Sequence, residues 1–548
     1  MTRLAVAIRL CCALSLLAVL PELSSAADRP QWGQRHSRNM ISREKGLPEW
    51  FDPGERAPET GEIDPATTEN VKWATRLGSR TYCSPVVAEG NVFIGTNNDA
   101  PRDPRIEGDR GVLMCFDEAT GKFLWQLTVP KIDSIRFFDA PKSGLTSPPT
   151  VDDGRLYVVT NRGEVMCLDI GGMVDGNSGP YTAEGQHMVL PDQPPLEPGR
   201  NDADIVWCYD MVAESGIRIH DSSNSSVLIH EDVLYACTAN GLNEEHENVA
   251  EPDAPTAIAL NKRTGEFVAR DNFGIGPDVV HGQWSSPAMG RVGNRDCLFF
   301  GAGNGRVYAC EALSAIGNDN GTRRLHPLWS FNGQPEARLG NPIPFQCGRG
   351  SPSHSVVASP VYYKDRVYVA FTHDPWVGKG DGWLACIDAT KSGDVTRSGL
   401  IWSYDGISDC ISTVSTADDL LFIADFSGRL HCLDAETGQR YWMKELGGKI
   451  WGSTLLADGK VYIGTDRAEF WVFAAARDLE VISRIRMRDP IFTTPVAANG
   501  VLYVATAKDL YALAGNRNNS IEAESDMRSG WRFRQQGEVC HASPTGRL

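Results

Sequence analysis

Short apolar segments of three to five residues recur along most of the chain, separated by turn residues. Val92-Phe93-Ile94-Gly95 is one of them, and similar segments occur at 156–159, 233–235, 367–369, 461–463 and 502–504. They are rich in β-branched and aromatic residues and are bounded by Gly or Asp, which is typical of strands and their turns. The pattern therefore predicts a protein made mainly of short β-strands.

An eleven-residue hairpin pattern occurs three times. C-F-D-E-A-T-G-K-F-L-W runs from Cys115 to Trp125, C-L-D-A-E-T-G-Q-R-Y-W runs from Cys432 to Trp442, and a degraded copy occupies 259–269. Each copy reads as an apolar strand, a tight turn at Thr-Gly and a second strand. Gly supplies the positive φ that such a turn needs. Repetition of one pattern indicates a repeat architecture.

The opening of the first repeat unit, Ser84-Pro85-Val86-Val87, recurs along the chain and marks eight units. The anchors of these units are Ser84, Pro148, Ser225, Ser286, Ser359, Ser412, Ser453 and Thr494, and the closest are 41 residues apart. That spacing matches one four-stranded propeller blade, and longer units are blades with inserted loops. The eighth unit lacks an outer strand, and residues 71–77 match the missing one. The sequence thus predicts an all-β, eight-bladed β-propeller of four-stranded blades at 70–515, closed by an N-terminal strand; a solenoid of stacked sheets is the alternative.

The chain ends differ from the repeats. Residues 1–27 have the features of a signal peptide, with Arg3 and Arg9 before an apolar run at 10–20 and small residues at 24–27. We expect an irregular N-terminal segment at 28–69 and a disordered tail at 516–548, which is polar and shows no alternation. No later stretch is apolar and long enough to span a bilayer. We therefore expect an exported protein of the bacterial periplasm or cell envelope, with no membrane span in the mature chain; a retained membrane anchor at 10–20 is the alternative.

Composition narrows the possible functions. The formal net charge is −17 and the pI is about 5.2, and an acidic surface repels phosphate backbones, which argues against nucleic-acid binding. Five of the fourteen cysteines share one slot of the repeat, a predicted buried strand position where Cys acts as a small hydrophobe: Cys115, Cys167, Cys310, Cys386 and Cys432. The sequence contains no C-x-x-C, so neither a zinc knuckle nor covalent haem attachment is indicated.

The repeat motif Asp-x-x-Thr-Gly-x-x-x-Trp resembles the tryptophan-docking repeat of the pyrroloquinoline quinone (PQQ)-like propeller superfamily. That superfamily includes the quinoprotein alcohol dehydrogenases and the outer-membrane assembly propeller BamB. The resemblance covers residues 70–515 and implies that Trp125 and Trp442 are structural docking residues that pack against neighbouring blades. It says little about activity, because the motif is architectural.

One face of the predicted propeller collects most of the inserted loops. In a four-stranded blade with strands A to D, the D-to-A and B-to-C connections emerge on the same face. In this chain they include 96–110, 128–145, 211–224, 240–255, 272–284, 332–357 and 373–382. We call this the long-loop face. Long loops gathered over a scaffold are usually functional, so any ligand site is expected there, near the central channel.

Twelve residues of this face are candidates for ligand contact. They are Asn97, Asp99, His220, His281, Trp284, His354, His373, Asp374, Trp376, Asp425, Trp451 and Asp466. Asp425 and Asp466 lie in short loops near the axis, where carboxylates could hold Ca²⁺. Trp284, Trp376 or Trp451 could form a platform for a flat ring or a sugar. For each residue the alternative is an ordinary role in turn capping or loop packing.

Two functions remain open. The favoured one is a non-catalytic binding or scaffold module for a protein, peptide or glycan, with no catalytic residue and no metal or cofactor assigned. The alternative implied by the resemblance is a dehydrogenase of alcohols or sugars that uses PQQ and calcium. In that family a disulfide between adjacent cysteines faces a Trp, whereas the only adjacent pair in this sequence is Cys11-Cys12. A hydrolase or lyase has no support, because we find neither a nucleophile elbow nor a metal-spaced His pair.

Overall fold

The computed structural model describes residues 27–131, 138–314, 323–334, 345–348, 351–374 and 380–515. Trp376, the predicted tail at 516–548 and the predicted signal peptide, apart from Ala27, lie outside these residues. The strands form eight sheets arranged as an eight-bladed β-propeller, so the predicted fold class is confirmed. Helical structure in the described part is limited to Glu184–His187, Met211–Ser215 and the 3₁₀ turns Pro65–Thr67 and Gly172–Val174. None of the described helices has the length and apolar character that crossing a bilayer requires.

Each blade has four antiparallel strands, of which the first lies at the channel and the fourth at the outer edge. In that order, blade 1 consists of Val86–Ala88, Asn91–Asn97, Arg110–Asp117 and Phe123–Pro130. Blade 2 consists of Thr150–Asp152, Arg155–Val159, Glu164–Asp169 and Ile205–Asp210. Blade 3 consists of Leu228–His230, Val233–Cys237, Ala257–Asn261 and Phe267–Asp271, and blade 4 of Ala288–Val292, Arg295–Gly301, Arg306–Glu311 and Pro327–Asn332.

The second half of the ring repeats the arrangement. Blade 5 consists of Val361–Tyr363, Arg366–Phe371, Trp383–Asp388 and Leu400–Tyr404. Blade 6 consists of Ser415–Ala417, Leu420–Ala424, Arg429–Asp434 and Arg440–Glu445. Blade 7 consists of Leu455–Ala457, Lys460–Gly464, Glu469–Ala474 and Val481–Arg486, and blade 8 of Val496–Ala498, Val501–Ala505, Asp509–Leu513 and Val71–Arg76.

The N-terminal strand closes the ring as predicted. Val71–Arg76 pairs antiparallel with Asp509–Leu513 and supplies the outer strand of blade 8. Three sheets gain a fifth, parallel strand: Arg323–Leu325 in blade 3, Gly393–Asp394 in blade 4 and Ile41–Ser42 in blade 7. Closure leaves no blade without a neighbour and protects the edges of the sheets.

A repeated hydrogen bond joins neighbouring blades around the channel. At the position two residues before the inner strand, the backbone N–H donates to the hydroxyl of the equivalent residue in the next blade. The bonds measure 2.9–3.1 Å and run Ser226→Ser286, Ser286→Ser359, Ser359→Thr413, Thr413→Ser453, Ser453→Thr494 and Thr494→Ser84. We call this series the interblade ring. It explains why Ser and Thr dominate the predicted anchors.

Two anchors were wrong by one residue. The structure places Ser226 and Thr413 in the interblade ring, not Ser225 and Ser412. In both blades two hydroxyl residues follow each other, and the sequence pattern cannot distinguish them. Blade 2 has Pro148 at this position, which offers neither the N–H nor the hydroxyl, so the ring is interrupted there.

Tryptophans of the outer strands join the blades a second time. The Trp125 indole N–H donates to the Ile170 carbonyl of the next blade at 3.0 Å, and that of Trp442 donates to the Ala476 carbonyl at 3.0 Å. The corresponding bond is made by Trp73, Trp207, Trp329 and Trp402.

Two features of the structure require glycine in the Thr-Gly turn of the repeat. Gly121 has φ +71°, and a Cβ on it would lie 2.5 Å from the Trp73 ring.

Residues 27–44, which we call the central segment, cross the channel and bond to every blade. Backbone bonds reach the inner strands of blades 1, 2, 4, 5 and 7 through Arg29, Pro30, His36, Ser37 and Met40. Side chains or backbone atoms of His36, Asn39, Ser42 and Ala27 reach blades 3, 6 and 8. The inner strands therefore have partners inside the channel as well as within their own blades.

Arg38 is a fully buried residue of the central segment. Its guanidinium donates to the carbonyls of Trp32, Ser226, Val227 and Pro287 at 2.9 Å and to the Ser226 hydroxyl at 3.2 Å. Burial lowers the pKa of Arg38 to about 9, so the side chain keeps its charge at neutral pH. One side chain thus ties the central segment to the adjoining ends of blades 3 and 4.

We predict that Trp125→Ala and Trp442→Ala each lower the free energy of unfolding by about 3–5 kcal/mol, because truncating a buried Trp leaves a cavity. Trp50→Ala is the control, since Trp50 is 45% exposed, and a change within about 0.5 kcal/mol is expected there. Urea unfolding followed by circular dichroism measures all three. A parental midpoint for either docking variant would contradict the docking role.

We predict that Arg38→Met destabilises the protein by at least about 3 kcal/mol, because each buried carbonyl left without a donor costs about 1–3 kcal/mol. Arg35→Met is the matched control in the same segment. Arg35 is 57% exposed and pairs with Asp152, and an exposed ion pair contributes about 0–1 kcal/mol. Equal unfolding midpoints for the two variants would show that the central segment does not hold the blades together.

Candidate functional site

The central channel contains a cavity of about 740 Å³ on the side of the long-loop face. Its walls are the residues that precede the inner strands, together with loops 140–143, 221–224 and 281–284. Trp32 of the central segment also lines it and forms the floor, because the segment crosses the channel there. The volume lies within the range typical of ligand pockets, about 300–1,000 Å³.

One wall of the cavity is aromatic. Tyr82, Trp451 and Phe492, which precede blades 1, 7 and 8, lie with ring centroids 5.0–5.6 Å apart, and Tyr82 stacks on Phe492. Phe426 supports Trp451 from behind at 5.1 Å. We call Tyr82, Trp451 and Phe492 the aromatic wall. Such a surface suits a flat ring or the apolar face of a sugar.

Three histidines converge on another part of the cavity, and we call them the three-histidine cluster. His220 and His281 precede the inner strands of blades 3 and 4, and His246 comes from the loop inserted in blade 3 at 240–255. His220 Nε2 lies 3.1 Å from His246 Nε2 and 2.9 Å from His281 Nε2. All three side chains are buried, and His246 and His281 line the cavity. Within the residues described, no other group of three His, Cys, Asp or Glu side chains comes this close.

The other ring nitrogens of these histidines face oxygen atoms. His220 Nδ1 lies 2.8 Å from the Leu242 carbonyl, and His246 Nδ1 lies 3.0 Å from the Glu244 carbonyl. His281 Nδ1 lies 3.2 Å from Asp374 Oδ2. Burial, with a smaller contribution from His281, lowers the pKa of His220 to about 3.

Two residues beside the three-histidine cluster, Trp284 and Asp374, are also predicted candidates. The Trp284 indole N–H donates to the His220 carbonyl at 3.2 Å, and its ring contacts His281 edge to face at 5.0 Å. Asp221 Oδ2 lies 3.6 Å from His281 Nε2 and lines the cavity. The structure thus brings together four candidates, His220, His281, Trp284 and Asp374.

Asp425 has a different environment. Its carboxylate accepts hydrogen bonds from Arg429 Nε at 2.8 Å and from the Ser408 N–H at 3.1 Å, and His431 Nε2 lies at 3.2 Å. Burial alone would raise the pKa of Asp425, but the bonds from His431, Ser408 and Arg429 lower it to about 2. Asp466 accepts from the Lys449 N–H at 2.8 Å. Neither belongs to a described cluster of metal-ligating side chains, so calcium at these two residues stays a prediction.

The other described candidates do not belong to the three-histidine cluster. Asn97 binds the Ser79 N–H and the Lys142 carbonyl, and Asp99 forms an ion pair with Lys142 at 3.2 Å. The His354 ring lies 4.1 Å from that of His373. Trp451 belongs to the aromatic wall, and Trp376 lies outside the described residues.

Sequence reasoning missed several residues of the cavity. His246, Asp221, Tyr82, Phe492 and Trp32 were not among the candidates, yet each lines the cavity. A signal for His246 existed, since it lies in an inserted loop of the same face as His220. The statement that no His pair has metal-ligand spacing holds along the sequence but not in space.

The described residues fit PQQ with calcium poorly. Ca²⁺ takes six to eight oxygen ligands, whereas Asp221 is the only carboxylate among the described residues that line the cavity. Asp425, one of the two predicted calcium ligands, is bound to Arg429 and His431.

Comparisons with known proteins agree on the fold. Europium-containing methanol dehydrogenase has a similar structure, with TM-score 0.53, 11% identity and 89% of this chain and 98% of that chain covered. The quinohemoprotein alcohol dehydrogenase of Comamonas testosteroni gives TM-score 0.55, 12% identity, and 94% and 83% covered. BamB from Moraxella catarrhalis gives TM-score 0.49, 13% identity, and 82% and 98% covered. At such identities the similarities to the two dehydrogenases show the fold alone.

Sequence comparison identifies the family. No curated protein sequence matches the chain. The family profile described as outer membrane protein assembly factor BamB matches residues 109–315 and 380–482, which together make up more than half of the chain. The eight blades, the docking tryptophans and this match lead to one conclusion: the chain belongs to the BamB-type family of PQQ-like β-propellers.

Proposed function

We propose that the protein is a binding module that takes the end of a glycan chain into the central cavity. The observation that carries the proposal is the combination of the aromatic wall with a channel that the central segment crosses. A polymer cannot pass through such a channel, so a chain end or a small molecule fits it better than the middle of a polymer.

The aromatic wall favours a sugar over other occupants. Tyr82, Trp451 and Phe492 offer apolar faces, while hydroxyl residues such as Ser84, Ser453 and Thr494 line the same cavity. Sugars present both kinds of surface, an apolar ring face and a rim of hydroxyls. A protein or a peptide is the alternative occupant, which the assembly-factor description of the family supports.

We predict that at least one of three trisaccharides, cellotriose, chitotriose or maltotriose, binds with one site per chain in calorimetry. Trp451→Ala should weaken that binding about tenfold, equivalent to roughly 1.4 kcal/mol, which is the upper part of what aromatic contacts contribute.

The matched control is Trp50→Ala, an exposed Trp that does not line the cavity, and its affinity should equal that of the parent. The tripeptide Ala-Ala-Ala is the competing probe. Binding of the tripeptide without any trisaccharide would replace the glycan by a peptide. Equal loss in both Trp variants would place the sugar outside the cavity.

The second candidate is the dehydrogenase that uses PQQ and calcium, supported by the structural similarity to two dehydrogenases. We predict that protein purified from the envelope fraction of its host shows no PQQ absorbance. We also predict no substrate-dependent dye reduction with an alcohol and aldose panel after incubation with PQQ and Ca²⁺. The reason is the shortage of carboxylates in the described cavity. Turnover in this assay would favour the dehydrogenase, and failure to recover the protein from the envelope would contradict export.

A further inference from the structure

We propose that the three-histidine cluster binds one divalent transition-metal ion, with zinc as its representative, through the Nε2 atoms of His220, His246 and His281. This inference does not depend on glycan binding, and it concerns residues that belong to the long loops rather than to the repeat.

The hydrogen-bond partners fix which nitrogen of each ring carries the hydrogen. A backbone carbonyl only accepts hydrogen bonds, so Nδ1 of His220 and Nδ1 of His246 carry the hydrogens that face the Leu242 and Glu244 carbonyls. For His281, the ion-pair contact of 3.2 Å between Nδ1 and Asp374 Oδ2 is shorter than the 3.6 Å between Nε2 and Asp221 Oδ2, which favours the hydrogen on Nδ1. In the neutral rings, all three Nε2 atoms therefore carry lone pairs.

These three lone pairs lie close together in a buried place. Nε2 of His220 is 3.1 Å from that of His246 and 2.9 Å from that of His281. Lone pairs at this distance repel each other. A cation bonded to all three nitrogens would stabilise this close approach.

The spacing fits a metal ion well. Two nitrogens bound to a tetrahedral zinc at about 2.0–2.1 Å lie roughly 3.3 Å apart, close to the two contacts of His220. The Nδ1 partners also match the usual support of a metal-bound His, which donates its second N–H to a carbonyl or carboxylate. Imidazole ligands favour zinc, copper or nickel over calcium.

Charge and access complete the argument. Asp221, with Oδ2 at 3.6 Å from His281 Nε2, and Asp374 place two carboxylates beside the cluster, which favours a cation. Because His246, His281 and Asp221 line the cavity, a three-coordinate ion would have its fourth position on the cavity side, where water or an oxygen atom of a ligand could bind.

The test uses the untagged chain, since a polyhistidine tag would itself bind metal. After dialysis against a chelator, the protein is titrated with zinc in competition with a chromophoric chelator. We expect one zinc per chain with submicromolar affinity, no displacement by excess Ca²⁺, and visible absorption bands of a tetrahedral site when Co²⁺ replaces zinc. His246→Ala and His281→Ala should each weaken zinc binding at least a hundredfold.

His373→Ala is the matched control, because His373 lies on the same face and contacts another His, at 4.1 Å, but lies outside the cluster. It should bind zinc as the parent does. Thermal unfolding with and without zinc guards against misfolded variants: zinc should raise the melting temperature of the parent and of His373→Ala, but not of His246→Ala. A parent that takes up no stoichiometric zinc overturns the proposal. So does a His246→Ala variant with parental affinity, or equal loss in His246→Ala and His373→Ala.

Discussion

The architecture depends on the interblade ring, the hydrogen bond from a backbone N–H of one blade to a hydroxyl of the next. Each such bond is short and buried, from Ser226→Ser286 to Thr494→Ser84, and a buried N–H without a partner would be costly. The bond fixes the distance between successive inner strands, and therefore the diameter of the channel. The docking tryptophans add a second link at the outer edge between blades 4 and 5, 5 and 6, 6 and 7, and 8 and 1. Between blades 1 and 2 and between blades 2 and 3, where Pro148 interrupts the ring, the Trp bonds provide the link.

The central segment limits which ligands the channel can admit. An open channel admits the middle of a polymer, whereas a channel crossed by residues 27–44 has a floor. Arg38 shows how firmly the floor is held, because its donors satisfy carbonyls of blades 3 and 4 at 2.9 Å. The result is a cavity of about 740 Å³ on the side of the long-loop face, which is wide enough for a ligand of a few rings.

The loops use this cavity in two ways. Blades 7, 8 and 1 contribute the aromatic wall, and blades 3 and 4 contribute the three-histidine cluster across the ring. The three histidines lie in long inserted loops, whereas the residues of the aromatic wall occupy one repeat position, two residues before the interblade ring in blades 1, 7 and 8. Residues in inserted loops can bind ligands without changing the contacts that hold the blades together. This is why members of one propeller family can differ in what they bind. In this chain the proposed metal chemistry rests on nitrogen ligands rather than on the oxygen ligands that calcium needs.

The sequence by itself determined the fold, because each blade is encoded by a repeated local pattern of residues. The Asp117-to-Trp125 motif and the anchor spacing predicted eight blades from local patterns, and the missing outer strand of the last unit predicted the closing strand. It did not determine the register of Ser226 and Thr413, where two hydroxyl residues in succession satisfy the same pattern. Only the tertiary structure decided the path of the central segment, since its irregular backbone has no periodicity and takes its partners from all eight blades. Only the tertiary structure, too, brought His246 to His220 and His281. These residues are separated by loops of different blades, and their meeting depends on how the ring closes rather than on any local pattern.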